Sequence, residues 1–251
     1  MKDFFKYVLA TVVGLILFGI IMAIIGLMSV VGMVASGEAT QNVSKNSVLV
    51  LNLNASINEQ AQENFFGNLT GQQDASLGLN DILSAIEKAK DNDRIKGIYI
   101  EAGGPVTSFA SLQEIRNALV DFKESGKWIV AYGDNYTQGD YYLASLADKI
   151  YLNPQGSVSW HGIGGMPYYI KDAADKFGIH FQIVKVGTFK SATEMFSETK
   201  MSDANRQQTM AYLNGLWENV CNAVSESRNI SVDSLNAYAD RLIETSTNPV
   251  Q

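Results

Sequence analysis

Residues 95–133, IKGIYIEAGGPVTSFASLQEIRNALVDFKESGKWIVAYG, contain two strand-like segments with a helix-like segment between them. The segments IKGIYIEA and KWIVAYG are rich in β-branched and aromatic residues, as strands are. Between them, apolar residues recur at helical spacing, at Leu112, Ile115, Leu119 and Phe122. Because strands joined through a helix normally pair in parallel, this stretch predicts a βαβ unit.

The same alternation continues on both sides of this stretch. Before it, the strand-like run SVLVLNLNASI begins at Ser47, and a helical pattern follows Leu79, with Asn80 as the predicted N-cap. After it come a short helix GDYYLASLA, a strand KIYLNP, a helix PYYIKDAADKFG, a strand HFQIVKVG and a largely helical region from Ser202 onward. Residues 58–78 are rich in Asn, Gln and Gly, which predicts a mobile excursion. The expected fold class is α/β, with right-handed crossovers.

The composition excludes several classes of function. The 251 residues are 46% hydrophobic, which is ample for a core, and a net charge of −7 without a basic cluster argues against a nucleic-acid partner. The single Cys221 cannot form an internal disulfide, and only His161 and His180 accompany it, so we expect no Cys/His zinc site. Cys221 lies in an apolar-periodic stretch, which favours a buried hydrophobe over a reactive thiol. We expect no metal and no other cofactor.

The N-terminal region has the composition of a membrane anchor. No charged residue occurs in residues 7–37, a span longer than the roughly 20 apolar residues that a transmembrane helix needs. A cleaved signal peptide is the alternative, but its apolar region runs only about 7–15 residues. Lys2 and Lys6 precede the segment and Glu38 follows it, so the positive-inside rule predicts a cytoplasmic N-terminus. The rest of the chain would then lie outside the cytoplasm.

Two glycine-rich stretches are candidates for backbone anion binding. HGIGGMP has Pro167 where a dinucleotide fingerprint requires glycine or alanine, so a tight loop is the favoured interpretation. EAGGP ends a predicted strand, where α/β folds place ligands, and the amides of Gly103 and Gly104 could form an oxyanion hole or substrate loop. A plain turn is the alternative there. His161 has no partner carboxylate in a recognisable motif and is interpreted as a structural loop residue.

Lys190 lies in KVGTFKSATEMF, residues 185–196, between a glycine turn and a small-residue segment. Apolar neighbours such as Phe189 and Ala192 can lower the pKa of an amine by desolvation, which a catalytic base requires. Ser191 is a candidate for orienting the amine by hydrogen bonding. A solvated lysine is the alternative, and these residues alone do not decide between the two.

Two longer stretches carry a resemblance to a known family. YGDNYTQGDYYLASLADKIYLNPQGSVSWHGI and FQIVKVGTFKSATEMFSETKMSDANRQQTMAYLNGLWENV resemble the long form of the signal peptide peptidase A family, membrane-anchored serine proteases with a Ser/Lys dyad. VGTFKSATEMF matches the family signature V-G-x-[YF]-K-S-A-x-E-x-F, and MSDANRQQ is similar to its M-S-x-x-x-R segment. The similarity covers residues 47–251, and the apolar N-terminal segment also fits the family.

The resemblance implies a crotonase-like (ClpP-like) α/β fold, of which long-form members carry two tandem copies. It assigns the general base to Lys190 in the first copy and the serine nucleophile, in a T-G-S-[IV]-G motif, to the second copy. Counting from Pro154, the position equivalent to that serine here is Trp160, so this chain is expected to lack the nucleophile. Ser157 and Ser159 are out of register, and Ser159 should point to the opposite face because strand residues alternate.

The first hypothesis is the base-donating part of a signal peptide peptidase. Residues 1–37 would form a cytoplasmic stub and transmembrane anchor, 38–47 a stalk, and 48–251 the first of two peptidase domains. The second copy is absent from the sequence, so we expect a truncated or split enzyme. The expected location is the bacterial inner membrane, with the main domain in the periplasm. The expected partners are apolar signal peptides, the lipid bilayer, a serine-bearing second domain and further copies in a homo-oligomer.

Two other hypotheses remain open on the residues alone. In one, the chain is a non-catalytic anchored scaffold of the same fold that binds peptides or organises active partners, as Trp160 at the nucleophile position suggests. In the other, a shifted register recruits Ser157 or Ser159 as nucleophile, and the chain is an autonomous protease.

Overall fold

The computed structural model describes residues 2–37, 43–61 and 76–242 and divides into two compact units, Met1–Ser44 and Lys45–Gln251. The described part of the first unit contains one helix, α1 (Lys2–Gly37). Within it, Phe4–Ser29 has a mean hydropathy of 3.0 and exposes its side chains. By length and composition this helix can cross a bilayer, a test that a signal sequence would also pass.

The second unit is α/β, as predicted. Its strands are β1 (Ser47–Asn52), β2 (Ile57–Asn58), β3 (Leu77–Gly78), β4 (Ile95–Glu101), β5 (Trp128–Tyr136) and β6 (Lys149–Val158). Its helices are α2 (Leu79–Asp91), α3 (Phe109–Lys123), α4 (Gln138–Ala144), α5 (Lys171–Lys176), α6 (Glu194–Ser197), α7 (Asp203–Arg228) and α8 (Val232–Asp240). Strands β1, β4, β5 and β6 form a parallel sheet in that order, and β2 pairs in parallel with β3.

Alternation along the strands builds the core on one face of the sheet. Ile98 and Ile100 of β4 and Ile129 and Ala131 of β5 are fully buried, each separated from the next by a residue on the other face. The apolar stripe predicted for α3 is its buried face, formed by Leu112, Ile115, Leu119 and Phe122. The βαβ unit predicted from residues 95–133 is therefore confirmed in its strands, its helix and its parallel pairing.

The other face of the sheet is partly exposed within this unit. Val50, Trp128 and Tyr151 are among its exposed side chains. Trp128 lies flat against Gly97, where an added Cβ would come within 2.3 Å of the indole. Parallel sheets are usually buried on both faces and then have continuously apolar strands. Here the strands alternate buried and exposed residues instead.

The prediction of a strand at residues 180–187, HFQIVKVG, is wrong. After Val158 the described residues contain helices and loops but no strand. Val184 and Val186 are 87% and 84% exposed. The segment has a strand-like composition, but a strand forms only where the backbone hydrogen-bonds to a neighbouring strand, and no such neighbour is present in this part of the chain.

Smaller corrections concern element ends. Asn80 lies inside α2, whose N-cap is Gly78. Strand β6 continues past Pro154, since Ser157 and Val158 pair with β5, so part of the predicted loop is strand. The predicted excursion 58–78 begins and ends in β2 and β3, while residues 62–75 lie outside the described part. Met210 is exposed on α7, whereas Val220 and Val224 of the same helix are buried.

Arg116 of α3 is a buried cation that joins three helices. Its Nη1 donates to the Tyr142 carbonyl and to Ser145 Oγ at 2.9 Å, where α4 ends. Its Nη2 donates to the Ala223 carbonyl at 2.7 Å and to Ser227 Oγ at 2.6 Å on α7. Burial lowers the pKa of Arg116 below its ordinary value. These neutral acceptors replace the water that the guanidinium loses on burial, so the side chain links α3, α4 and α7.

Replacing Arg116 by Met should lower the free energy of unfolding by about 2–4 kcal/mol, because buried carbonyls lose their donor. The measurement is the urea unfolding midpoint of the full chain in detergent micelles, followed by circular dichroism. Lys90→Met is the control: Lys90 pairs with Asp121 at the surface, and no change in midpoint is expected. Equal midpoints for Arg116→Met and the unmodified chain would contradict the linking role.

Candidate active site around Lys190

Lys190 lies between two turns, at residues 188–189 and 192–193. Gly187, which precedes the first turn, has a φ of 99°, a conformation that glycine adopts without strain. Lys190 is exposed and lines an open cleft of about 410 Å³. The other residues that line the cleft are Val184, Lys185, Val186, Phe189, Ser191, Ala192 and Thr193. The apolar neighbours expected from the sequence are present, but the described part of the chain does not bury the lysine.

Two hydroxyl side chains accompany Lys190 in this cleft. Ser191 is half-buried, and its carbonyl accepts a hydrogen bond from the Glu194 amide at 2.9 Å. The Oγ1 atom of Thr193 is buried and has no hydrogen-bond partner among the described residues. A buried hydroxyl without a partner is unusual in a folded protein. The predicted orienting role of Ser191 stays a prediction, and Thr193 is a second hydroxyl at the same site.

A buried carboxylate holds the turn that follows Lys190. Glu194 is 2% exposed, and its Oε1 accepts a hydrogen bond from Ser202 Oγ at 2.6 Å. Its Oε2 accepts from Asn205 Nδ2 at 2.9 Å and from the Ser202 amide at 3.3 Å. The Ser202 hydroxyl contributes most to holding the pKa of Glu194 below its ordinary value, while burial acts in the opposite direction. The carboxylate also lies at the N-terminus of α7, where a negative charge is favourable.

Two further contacts hold the same region. The Ile170 amide donates to the Met195 carbonyl at 2.8 Å. The rings of Phe181 and Phe196 lie with their centroids 4.8 Å apart. The segment around Lys190 is therefore fixed by contacts to α7 and to the loop before α5, since it has no strand pairing of its own.

Trp160 is a core residue and does not line the cleft. It is 1% exposed, and its Nε1 donates to the Leu235 carbonyl of α8 at 2.9 Å. Its ring contacts Tyr141 of α4 edge-on, at 5.8 Å between centroids, and Trp217 of α7 at 5.1 Å. The tryptophan thus joins α4, α7 and α8 at the position that the resemblance equates with the nucleophile.

The neighbouring serines are also outside the cleft. Ser157 lies in β6, and its hydroxyl donates to Asn135 Oδ1 of β5 at 2.9 Å. The Ser159 amide donates to the Tyr136 carbonyl at 2.8 Å. Neither serine is among the residues that line the cleft of Lys190 within the described ranges.

The amides of Gly103 and Gly104 donate to Asp140. The Gly103 amide lies 3.3 Å from Oδ1, and the Gly104 amide lies 3.1 Å from Oδ2. Asp140 is itself buried in a capping box with Thr137 at the start of α4. An oxyanion could reach these amides only by displacing the carboxylate. The oxyanion role of the two glycines stays a prediction.

Backbone packing by itself accounts for both glycines. A Cβ on Gly103 would lie 2.4 Å from Cβ of Asn54, so no side chain fits. Gly104 has a φ of 75°, which other residues adopt only with strain. The alternative interpretation, a plain turn at Gly103 and Gly104, is therefore sufficient to explain why both residues are glycine.

His161 and Cys221 take no part in the cleft. His161 is exposed and lies beside a separate cavity of about 210 Å³, with Asn214, Asn236 and Asp240 in its lining. Cys221 is fully buried, and burial raises the pKa of its thiol to about 11, as for a small hydrophobe in a core. Among the described residues, no group of His, Cys, Asp and Glu side chains has the arrangement of a metal site.

Sequence reasoning missed Glu194 and Asp140, the two buried carboxylates that organise these loops. A signal for Glu194 was present, because it occupies the glutamate position of the signature matched by VGTFKSATEMF. Asp140 follows Thr137 by three residues, the spacing of a capping box. The signature does not reveal that Glu194 binds the start of α7, and the capping box does not reveal that Asp140 also binds the distant loop of Gly103 and Gly104.

Known proteins with similar sequences cover much of this chain. Residues 121–247 match the sequence model of a family described as peptidase family S49. Protease 4 of Haemophilus influenzae is 33% identical over 216 residues, which are 83% of this chain and 35% of that protein. Protease 4 of Salmonella typhi is 40% identical over 167 residues, 66% of this chain and 27% of that protein.

A plant relative extends the comparison. The chloroplastic serine protease SPPA of Arabidopsis thaliana is 26% identical over 187 residues, 74% of this chain and 26% of that protein. The chain thus spans about a quarter to a third of the length of these relatives. The match over half of the chain and the identity to Protease 4 show that the chain belongs to peptidase family S49, the family of signal peptide peptidase A.

Proposed function

We propose that this chain supplies the general base, Lys190, of a membrane-anchored serine endopeptidase whose nucleophile belongs to a second domain. The observation that carries the proposal is the placement of Lys190 in an open cleft with largely apolar lining, on a turn held by the buried Glu194. Membership of a peptidase family and the match of VGTFKSATEMF to its signature support the same role. The α/β unit with its parallel sheet is consistent with the crotonase-like fold that we propose for both domains.

The chemistry requires an uncharged amine. Neutral Lys190 accepts the proton of the serine hydroxyl as the serine oxygen attacks the peptide carbonyl, and the resulting ammonium gives this proton to the leaving amine. Water then hydrolyses the acyl-enzyme, with the lysine again as base. The nucleophile is drawn from another domain because Trp160, at the equivalent position here, is part of the core.

A second domain over the cleft would supply what this chain lacks at Lys190. The lysine is exposed, and so are Val184, Val186 and Phe189 beside it. Covering them would remove water from the amine and favour its uncharged form. It would also bury an apolar surface that is unusual on an isolated soluble domain. The proposed arrangement includes further copies of the assembly in a homo-oligomer.

Apolar peptides, and cleaved signal peptides in particular, are the proposed substrates. The side chains around Lys190 are mostly apolar, which suits a hydrophobic peptide. The apolar α1 would keep the enzyme at the bilayer where such peptides are released. We propose the bacterial inner membrane as its location, with the N-terminus in the cytoplasm and the α/β unit in the periplasm.

One observation favours a second candidate function. Lys190 is exposed and Trp160 is buried, an arrangement that a non-catalytic, membrane-anchored peptide-binding scaffold would also have. The two functions differ in their dependence on the amine. A scaffold would keep its function when Lys190 is replaced, whereas a peptidase would not.

Lys190→Met should reduce turnover of a fluorogenic leucine-rich peptide by about 10²–10⁴-fold, the usual contribution of a general base. The assay uses this chain combined with the serine-bearing domain, and activity should be absent from either part alone. Lys149→Met is the control, because Lys149 is an exposed lysine of β6 that lies outside the cleft and has no proposed chemical role. Equal turnover for Lys190→Met and the unmodified protein would rule out the base and favour the scaffold.

Trp160→Ser places a hydroxyl at the position equivalent to the nucleophile. We expect no peptidase activity and no labelling by a fluorophosphonate probe, since this side chain lies in the core. Loss of the indole should destabilise the unit by about 3–5 kcal/mol, measured as a lower thermal midpoint. The unmodified chain is labelled in parallel. A labelled Ser157 or Ser159 in the folded, unmodified protein would instead support an autonomous protease.

The proposed anchor and orientation are tested in cells. The full chain should stay with the membrane after alkaline carbonate washing, and protease added to spheroplasts should digest the α/β unit. Ile16→Arg in the middle of α1 should weaken insertion, because a central arginine costs about 2.5–3.5 kcal/mol. Release of the unmodified chain by carbonate, or protection from protease in intact spheroplasts, would contradict the proposed topology.

A further inference from the structure

Glu194 is a buried carboxylate whose hydrogen-bond donors are all uncharged. They are the hydroxyl and the amide of Ser202 and the side-chain amide of Asn205. Burying a charge in this way is costly unless every oxygen is well satisfied. A less costly neutral side chain could pack at the same place, so the arrangement calls for an explanation in terms of what the carboxylate holds.

Glu194 connects the turn after Lys190 to a long helix. On one side, the Glu194 amide donates to the Ser191 carbonyl at 2.9 Å and closes the turn that directly follows Lys190. On the other side, both carboxylate oxygens bind the first turn of α7, which is 26 residues long. Three residues lie between Lys190 and Glu194. The backbone of Lys190 is therefore connected to α7 through one hydrogen-bonded turn and the side chain of Glu194.

Ser202 makes this connection rigid. Its hydroxyl donates to Glu194 Oε1 and accepts from the Asn205 amide at 3.2 Å, so one oxygen serves both the carboxylate and the helix cap. Asn205 Oδ1 in turn accepts from Thr209 Oγ1 at 3.2 Å. Every member of this network has a partner on α7, and the lysine segment has no strand pairing that could replace it.

We propose that Glu194 is a positioning residue, which fixes the turn after Lys190 to the N-terminus of α7 and thereby holds the lysine amine in the cleft. The catalytic part of this inference depends on the proposed role of Lys190 as base. The mechanical part, that the carboxylate sets the exposure and orientation of Lys190, does not depend on it. The mechanical part is tested by chemical labelling and the catalytic part by enzyme kinetics.

The first measurement is chemical labelling of the folded full chain with an amine-acylating reagent. Mass spectrometry gives the labelling rate of Lys190 relative to Lys149, an exposed lysine of β6 outside the cleft, which serves as internal reference. Glu194→Leu removes both carboxylate acceptors and so breaks the contacts to Ser202 and Asn205. We expect the ratio of Lys190 to Lys149 labelling to change several-fold, and an unchanged ratio in the folded variant would overturn the mechanical part.

The second measurement is kinetic and uses the chain combined with the serine-bearing domain. Glu194→Leu should lower kcat by about 10²-fold with little change in KM, because misplacing a reacting group by about 1 Å has an effect of that size. A structural residue outside the site would not produce this split. If Lys190→Met leaves turnover intact, the proposed function fails, while the labelling ratio still tests the mechanical part.

The conservative variant provides the rescue. In Glu194→Gln the side-chain carbonyl can accept from Asn205 and from the Ser202 amide, while Nε2 donates to the Ser202 hydroxyl. This conservative variant should therefore keep the labelling ratio and kcat closer to the original values than Glu194→Leu does. Equal losses in both variants would overturn the inference, since the effect would not pass through these contacts.

Asn205→Leu is a second variant for the case that Glu194→Leu does not fold. It removes the Asn205 contact from the α7 side and leaves Glu194 and Ser202 in place. The labelling ratio and kcat should change in the same direction as for Glu194→Leu. Original values of both in a folded Asn205→Leu protein would count against the positioning role.

Discussion

The parallel pairing of β4 with β5 is the contact on which the rest of the α/β unit depends. Because parallel neighbours cannot be joined by a tight turn, α3 must cross over one face of the sheet, where its apolar stripe is buried. The same helix carries Arg116, whose guanidinium binds α4 and α7 through four neutral acceptors. A buried cation therefore connects the sheet to the C-terminal helices. The position of α7 follows from a contact made by the crossover helix.

The segment around Lys190 depends in turn on the position of α7. The N-terminus of α7 binds Glu194, and Glu194 closes the turn beside Lys190. No strand pairing contributes, and the cleft remains open on one side. This combination suits the proposed base, which would be held by its own domain while its amine faces a second one. The open side of the cleft also explains why the amine of Lys190 has apolar neighbours and is still exposed to solvent in the described part of the chain.

Several positions that suggest chemistry in the sequence have structural roles in the fold. The amides of Gly103 and Gly104 bind the buried Asp140, and both glycines are required by backbone geometry. Trp160 joins three helices. A glycine pair at the end of a strand serves either purpose, because the same unhindered amides that bind an oxyanion also bind a carboxylate. Only the identity of the group facing them distinguishes the two.

The sequence by itself determined the α/β class, the βαβ unit of residues 95–133, the apolar N-terminal helix and the placement of Lys190 in a recognisable signature. These features depend on periodicity and on neighbouring residues, which the chain order contains directly. The tertiary structure alone decided that residues 180–187 are not a strand, that Lys190 is exposed, that Glu194 binds the N-terminus of α7, and that Asp140 binds the distant loop of Gly103 and Gly104. A strand needs a partner backbone, and a buried charge needs donors from elsewhere in the chain. Whether a segment finds a partner strand, or a buried charge finds its donors, is decided only when other parts of the chain fold against it.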